Sequence, residues 1–376
     1  MTRPTFVTFA GGWGPGPMGR LMAGAQAALT LDLLEVARNS GGFDGCLLVT
    51  DMPELAAETP SGVTVECDTG EFHFGQRLRE IVERYDIARP FYLGGGSGPL
   101  VTAEELAEIA RQLADADSVV LTNNFASADL VAFTPGSALS SIDLPASDNP
   151  LPRLLQRQAG LQVVNLPRTT ATMFDIDTPT DLLILGMHPE AGPHVRSYLG
   201  GMPDRQGRLR EAMMYLTDPA AEILVAGRAG SYLWAHLEKE TACRVRFIAE
   251  ERGMQAAGRD RPGAVHSVLG HYVEAAGLER FFAMLGTLGQ AVFLDTRVLF
   301  YHLGLDPSAE DRFASDLGLW ETIAEPTVRA FTRAALDAPV PVVLGGHSLV
   351  AGGLMALVDA AWLEHDRLTG KELPSQ

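Results

Sequence analysis

The chain has 376 residues, 46% of them hydrophobic, and a formal net charge of −18. That length suggests roughly two globular domains, and the acidic balance argues against nucleic-acid binding, which needs clustered lysine and arginine. Apolar stretches such as residues 220–226 and 340–344 fall far short of the ~20 residues of a membrane span. Residues 1–7 run straight into a strand-like segment with no secretory signal, so the cytoplasm is the expected compartment. Lys239 and Lys371 are the two lysines, so phosphate recognition must come from arginines, helix-start amides or a metal ion. Cys46, Cys67 and Cys243 show neither a disulfide framework nor a zinc spacing.

In chain order, short apolar runs alternate with amphipathic ones up to about residue 187, the pattern of a layered α/β domain. Residues 5–10 read as the first strand, followed by a glycine-rich turn and a helix over 21–38. Strands are expected at 46–50, 91–93, 119–122 and 161–165, and helices at 72–84, 102–114 and 151–158. Thr102 and Glu105 form a capping-box signature. A proline- and glycine-rich shift over 188–207 marks the expected boundary between domains at 1–190 and 208–370. Beyond it come strands at 222–227, 245–249, 292–295 and 340–344, with helices at 231–239 and within 263–288.

Three groupings could carry chemistry. In Phe174-Asp175-Ile176-Asp177-Thr178-Pro179, residues two apart in an extended segment share a face, so Asp175 and Asp177 point together. Paired carboxylates favour a hard divalent cation, while Pro179 opens a helix that Thr178 or Asp177 caps. Gly11-Gly12-Trp13-Gly14-Pro15-Gly16-Pro17-Met18-Gly19-Arg20 lies between a strand and a helix, where backbone N–H groups approach phosphates. It is neither a P-loop nor a dinucleotide fingerprint. Asn123 and Asn124 follow a strand, where their amides would read a base or ribose edge or simply form a turn.

Together, the glycine-rich loop ending in Met-Gly-Arg, the helix begun by Thr102-Ala103-Glu104-Glu105-Leu106 and the Phe-Asp-Ile-Asp-Thr-Pro-Thr-Asp-Leu segment resemble the nucleotidyltransferase superfamily. The branch is that of molybdenum-cofactor guanylyltransferase and 2-phospho-lactate guanylyltransferase, and the resemblance covers about half the chain. It implies a three-layer α/β/α N-terminal domain followed by a helix-rich α/β region. It also implies a nucleoside triphosphate on Gly11, Gly12, Gly16, Gly19 and Arg20, magnesium on Asp175 and Asp177, and a small anionic acceptor. Two departures stand out. No lysine follows the loop, and where the family carries a metal aspartate this chain has Gly94-Gly95-Gly96-Ser97-Gly98, which offers amides and the Ser97 hydroxyl instead.

In the second region, polar residues end successive strands: Glu251 and Arg252, Asp295 and Arg297, then His347 and Ser348. Such positions converge where α/β sheets bind ligands, or they form structural salt bridges. Alternatives to transfer chemistry are a catalytically silent nucleotide- or sugar-phosphate-binding relative, or an active site in this region. The region is otherwise expected to supply the acceptor site or a homodimer interface.

Overall fold

The computed structural model describes residues 2–370 as an α/β protein of two compact units. Among the described residues the first unit comprises 2–13, 23–173 and 192–198, and the second comprises 14–22, 174–191 and 199–370. Residues 14–22 and 174–191, early in sequence, therefore pack with the later part of the chain.

Seven strands build the first unit: β1 (Thr5–Ala10), β2 (Gly45–Thr50), β3 (Val63–Cys67), β4 (Pro90–Leu93), β5 (Val119–Thr122), β6 (Leu130–Thr134) and β7 (Gln162–Asn165). Their order across the sheet is β3-β2-β1-β4-β6-β5-β7, and only β6 runs against its neighbours. The pleat sends Phe6 and Phe91 to one face, where they pack with Leu34, Leu106 and Leu113 from the helices Pro17–Asn39 and Ala103–Asp115. Val7 and Tyr92 go to the other face, against Leu78, Ile81 and Leu155 from the helices Phe74–Arg84 and Leu151–Ala159. Both faces are thus covered by helices, the condition under which a mostly parallel sheet is stable. The expected capping box holds: Thr102 Oγ1 accepts from Glu105 N, and Glu105 Oε2 accepts from Thr102 N.

Four elements depart from the sequence reading. The strands β3 and β6 and the helix Pro53–Glu58 fall in stretches read as connections. Residues 174–176 form no strand; Asp175 makes only an isolated bridge.

The second unit has a four-stranded parallel sheet of β8 (Glu222–Gly227), β9 (Arg244–Ala249), β10 (Ala291–Asp295) and β11 (Val342–Gly345), in the order β11-β10-β8-β9. Leu224, Leu294 and Leu344 on one face pack with Phe281, Phe282, Phe300 and Phe331.

Candidate functional site

In each unit the strand order reverses beside the first strand. In the first, β2 and β3 lie to one side of β1 and β4 to the other; in the second, β9 lies to one side of β8 and β10 to the other. Connections leaving neighbouring strands in opposite directions open a crevice at their carboxyl ends, where open α/β sheets bind ligands.

At the first unit's crevice, β1 runs into Gly11 and Gly12, both at positive φ (148° and 81°). A Cβ on Gly11 would stand 2.0 Å from Asp51 Oδ1, so this close approach admits only glycine. The loop amides already have acceptors. Gly11 N–H donates to Gln26 Oε1 at 2.8 Å, an oxygen that also accepts from Trp13 Nε1, and Gly12 N–H donates to Asp51 Oδ2 at 3.1 Å. After β4, Gly95 is pressed against β1: its N–H donates to Phe9 O, and a Cβ would meet Thr30 Oγ1 at 2.8 Å. Among the described residues the Ser97 hydroxyl has no hydrogen-bond partner. Asn123 is buried and engaged, Oδ1 accepting from Asp129 N and Leu130 N while Nδ2 donates to Thr172 O. It ties β5 to β6 rather than presenting an amide to solvent.

Gly16, Gly19 and Arg20 belong to the second unit, at the start of the helix Pro17–Asn39. Glycine at the N-cap position has no side chain to satisfy the first-turn amides, and a carboxylate from elsewhere does so. Glu310, on the helix Ala309–Asp316, accepts from Met18 N at 3.0 Å and Gly19 N at 2.9 Å. A Cβ on Gly16 would lie 2.1 Å from Glu310 Oε1. An anion therefore sits on this helix start, and it is the protein's own. Arg20 Nη1 donates to Pro15 O across the same turn.

Asp175 and Asp177 also belong to the second unit. Phe174, Ile176 and Thr178 are buried while Asp175 is half-buried and Asp177 exposed, so the two carboxylates alternate outward as expected. Shared outward placement on oxygen donors fits a hard divalent cation. The segment is anchored at the end of β11: Ser348 Oγ donates to Asp175 O at 2.6 Å, and Thr180 Oγ1 donates to Leu344 O at 2.6 Å. Thr178 is the N-cap of the helix Pro179–Leu185, and its N–H and Oγ1 both donate to Asp181 Oδ2 at 2.8 Å. Asp181 is wholly buried, and its Oδ1 has no partner. Burial, then the charges of Asp177 and Asp316, push its carboxyl well above the usual range.

Two buried ion pairs line the second unit's crevice. Arg228 grips Asp295 through Nε (2.5 Å) and Nη2 (3.0 Å), and Arg297 grips Asp316 through both terminal nitrogens at 2.8 Å. Burial alone would raise Asp295, but Arg228, His347 and Arg297 outweigh it and hold it below the usual carboxylate range. Desolvation, then the cationic Arg228, lowers His347 below the usual histidine range. Of the residues for which mutual salt bridges were the alternative reading, Glu251 pairs with Arg259, Asp295 with Arg228 and Arg297 with Asp316. Sequence reasoning missed Glu310, Asp51 and Asp316, because their partners lie 292, 39 and 19 residues away.

No protein-family model matches the chain, and no curated protein matches it. Solved structures do. A cytidylyltransferase from Leptospira borgpetersenii serovar Hardjo-bovis is 16% identical, with 54% of this chain and 99% of that one covered and a TM-score of 0.40. A putative nucleotide-diphospho-sugar transferase from Desulfovibrio desulfuricans G20 is 16% identical over 44% of this chain and 80% of its own, TM-score 0.34. A 4-diphosphocytidyl-2C-methyl-D-erythritol synthase from Anaerococcus prevotii DSM 20548 is 11% identical over 47% and 94%, TM-score 0.34. These neighbours are nucleotidyltransferase-like proteins at low identity.

Proposed function

We infer that this chain is a nucleotidyltransferase-like protein that binds a nucleoside triphosphate and transfers its nucleoside monophosphate to a small phosphorylated acceptor. The observation that carries this is the first unit's crevice, where two glycine-rich loops, after β1 and after β4, flank the reversal of strand order. Gly11, Gly12 and Ser97 are the proposed nucleotide contacts in that unit. Gly16, Gly19 and Arg20 are the proposed phosphate contacts at the start of the helix Pro17–Asn39, where aligned amides favour negative charge. Asp175 and Asp177 would hold magnesium, which supplies charge neutralisation at the transferring phosphate. In the transfer, an acceptor phosphate oxygen bonds to the α-phosphorus, the bond from α-phosphorus to the bridging oxygen breaks, and pyrophosphate leaves.

Titration calorimetry with each nucleoside triphosphate, with and without magnesium, tests the assignment. Magnesium-dependent binding of at least one triphosphate is expected, and Asp177→Ala should remove the magnesium dependence while leaving the fold intact. Absence of binding in every combination overturns the nucleotide role. Unchanged magnesium dependence in Asp177→Ala overturns the metal role alone.

A further inference from the structure

Three of the second unit's histidines cluster together. His266 lies in the irregular segment that follows β9, His271 on the helix Val268–Ala276, and His302 at the end of the helix Thr296–His302. One ring nitrogen of each lies within 4.8 Å of the others. The His271 and His302 rings stand 4.5 Å apart and nearly perpendicular at 87°, with His266 at 6.2 and 6.3 Å from them. Gly270 makes the approach feasible, since a Cβ there would sit 2.2 Å from His302 Cδ2.

His302 is the informative member. Its side chain is 3% exposed, and Nε2 is buried with no hydrogen-bond partner. That nitrogen looks toward Glu274, whose Oε2 lies 3.5 Å away and also 3.1 Å from His271 Nδ1. A buried imidazole nitrogen without a partner, facing two exposed imidazoles and a carboxylate, is a donor set suited to zinc or another borderline transition metal rather than magnesium or calcium.

We propose that His266, His271 and His302 bind a divalent transition metal of the zinc class, with the Glu274 carboxylate beside it. Tetrahedral coordination places nitrogens about 3.3 Å apart, so the set must contract by roughly 1.5 Å from its present spread. His266 and His271 are exposed, and His271 would turn at the expense of its 3.1 Å contact with Glu274, whereas the buried His302 is the fixed anchor. One contact opposes the closure. Ser267 N–H donates to His302 Nδ1 at 3.0 Å, which puts the neutral ring's proton on Nε2. Metal at Nε2 displaces that proton and shifts the ring to its Nδ1–H tautomer, so one buried hydrogen bond is exchanged for a metal–nitrogen bond. The bound ion would tie the segment after β9 to two helices, the arrangement in which a metal clip constrains a long loop. That segment carries exposed Arg252 and Arg259, each a tryptic site; Arg261 is followed by Pro262 and resists trypsin.

The test uses the full-length protein, stripped with chelator and titrated with zinc chloride, with magnesium chloride as control. Saturable binding of about one equivalent, a raised melting temperature and several-fold slower tryptic cleavage at Arg252 and Arg259 are expected for zinc and not for magnesium. His266→Ala and His271→Ala replace exposed side chains; each should weaken zinc binding on the order of tenfold or more, and the double variant should lose the protection. No zinc binding overturns the proposal. Binding and protection that persist in the double variant overturn it as well, because the ion then sits elsewhere.

Discussion

Replacing Glu310 by alanine uncaps the helix Pro17–Asn39, because the glycine at position 16 cannot substitute for the two hydrogen bonds that Met18 N and Gly19 N donate to the Glu310 carboxylate. Losing an N-cap acceptor costs about 0.5–2 kcal/mol, and losing a half-buried negative charge at the positive end of the helix adds about 0.3–1 kcal/mol. The sum is about 1–3 kcal/mol of stability, read in urea melts. Nucleotide affinity should move the other way. If phosphate uses this helix start, it must first displace Glu310, so removing the side chain lifts a penalty of about 1–3 kcal/mol and tightens triphosphate binding roughly 5- to 150-fold in calorimetry. Glu310→Gln keeps an acceptor oxygen and should fall between wild type and Glu310→Ala. Unchanged stability would show that the carboxylate is no cap. Reduced stability with unchanged or weaker nucleotide binding would show that phosphate does not use this helix start.

Glu66 on β3 accepts from Arg84, Tyr85 and Arg77, and these partners lower its carboxyl from 4.5 to about 2. A depressed acid contributes stability above its unfolded value and loses it as pH falls through the folded one. Glu66→Gln should therefore cost about 1–2 kcal/mol at pH 7 after screening at the exposed Arg84, with the gap closing between pH 4.5 and 2; urea melts showing a constant gap would contradict this. Asp316→Ala leaves the Arg297 guanidinium buried and unpaired, and should cost about 3–5 kcal/mol; a loss below about 1 kcal/mol in the same melts would mean the pair does not anchor the fold. Asp181 has the opposite sign to Glu66. A raised acid contributes its stability at low pH and loses it as pH rises toward the folded value, so Asp181→Asn should gain stability relative to wild type between pH 4 and pH 8. A flat difference in melting temperature across that range would show that Asp181 is ionised in the folded protein.

Local signals in the chain located much of the architecture. The period of the apolar residues marked β1, β2, β4, β5 and the strands β8 to β11, and Thr102 with Glu105 fixed a helix start, because each depends on residues within a few positions of one another. The strand β6 (Leu130–Thr134) was not assigned from the sequence, although it is buried along its whole length as β4 and β5 are. Residues 174–176 misled in the opposite sense: their alternation is real, but only an isolated bridge forms there. The candidate site divides in the same way. The sequence by itself determined that two glycine loops follow strands and that Asp175 and Asp177 share a face, since chain spacing dictates both. Only the tertiary structure decided that Asp51, Gln26 and Glu310 occupy the loop amides, that Asn123 is engaged by the backbone, and that His266, His271 and His302 meet. Each of those pairings joins groups distant in sequence, and the hydrogen-bonding needs of buried or helix-end backbone amides, rather than local propensity, select the partner.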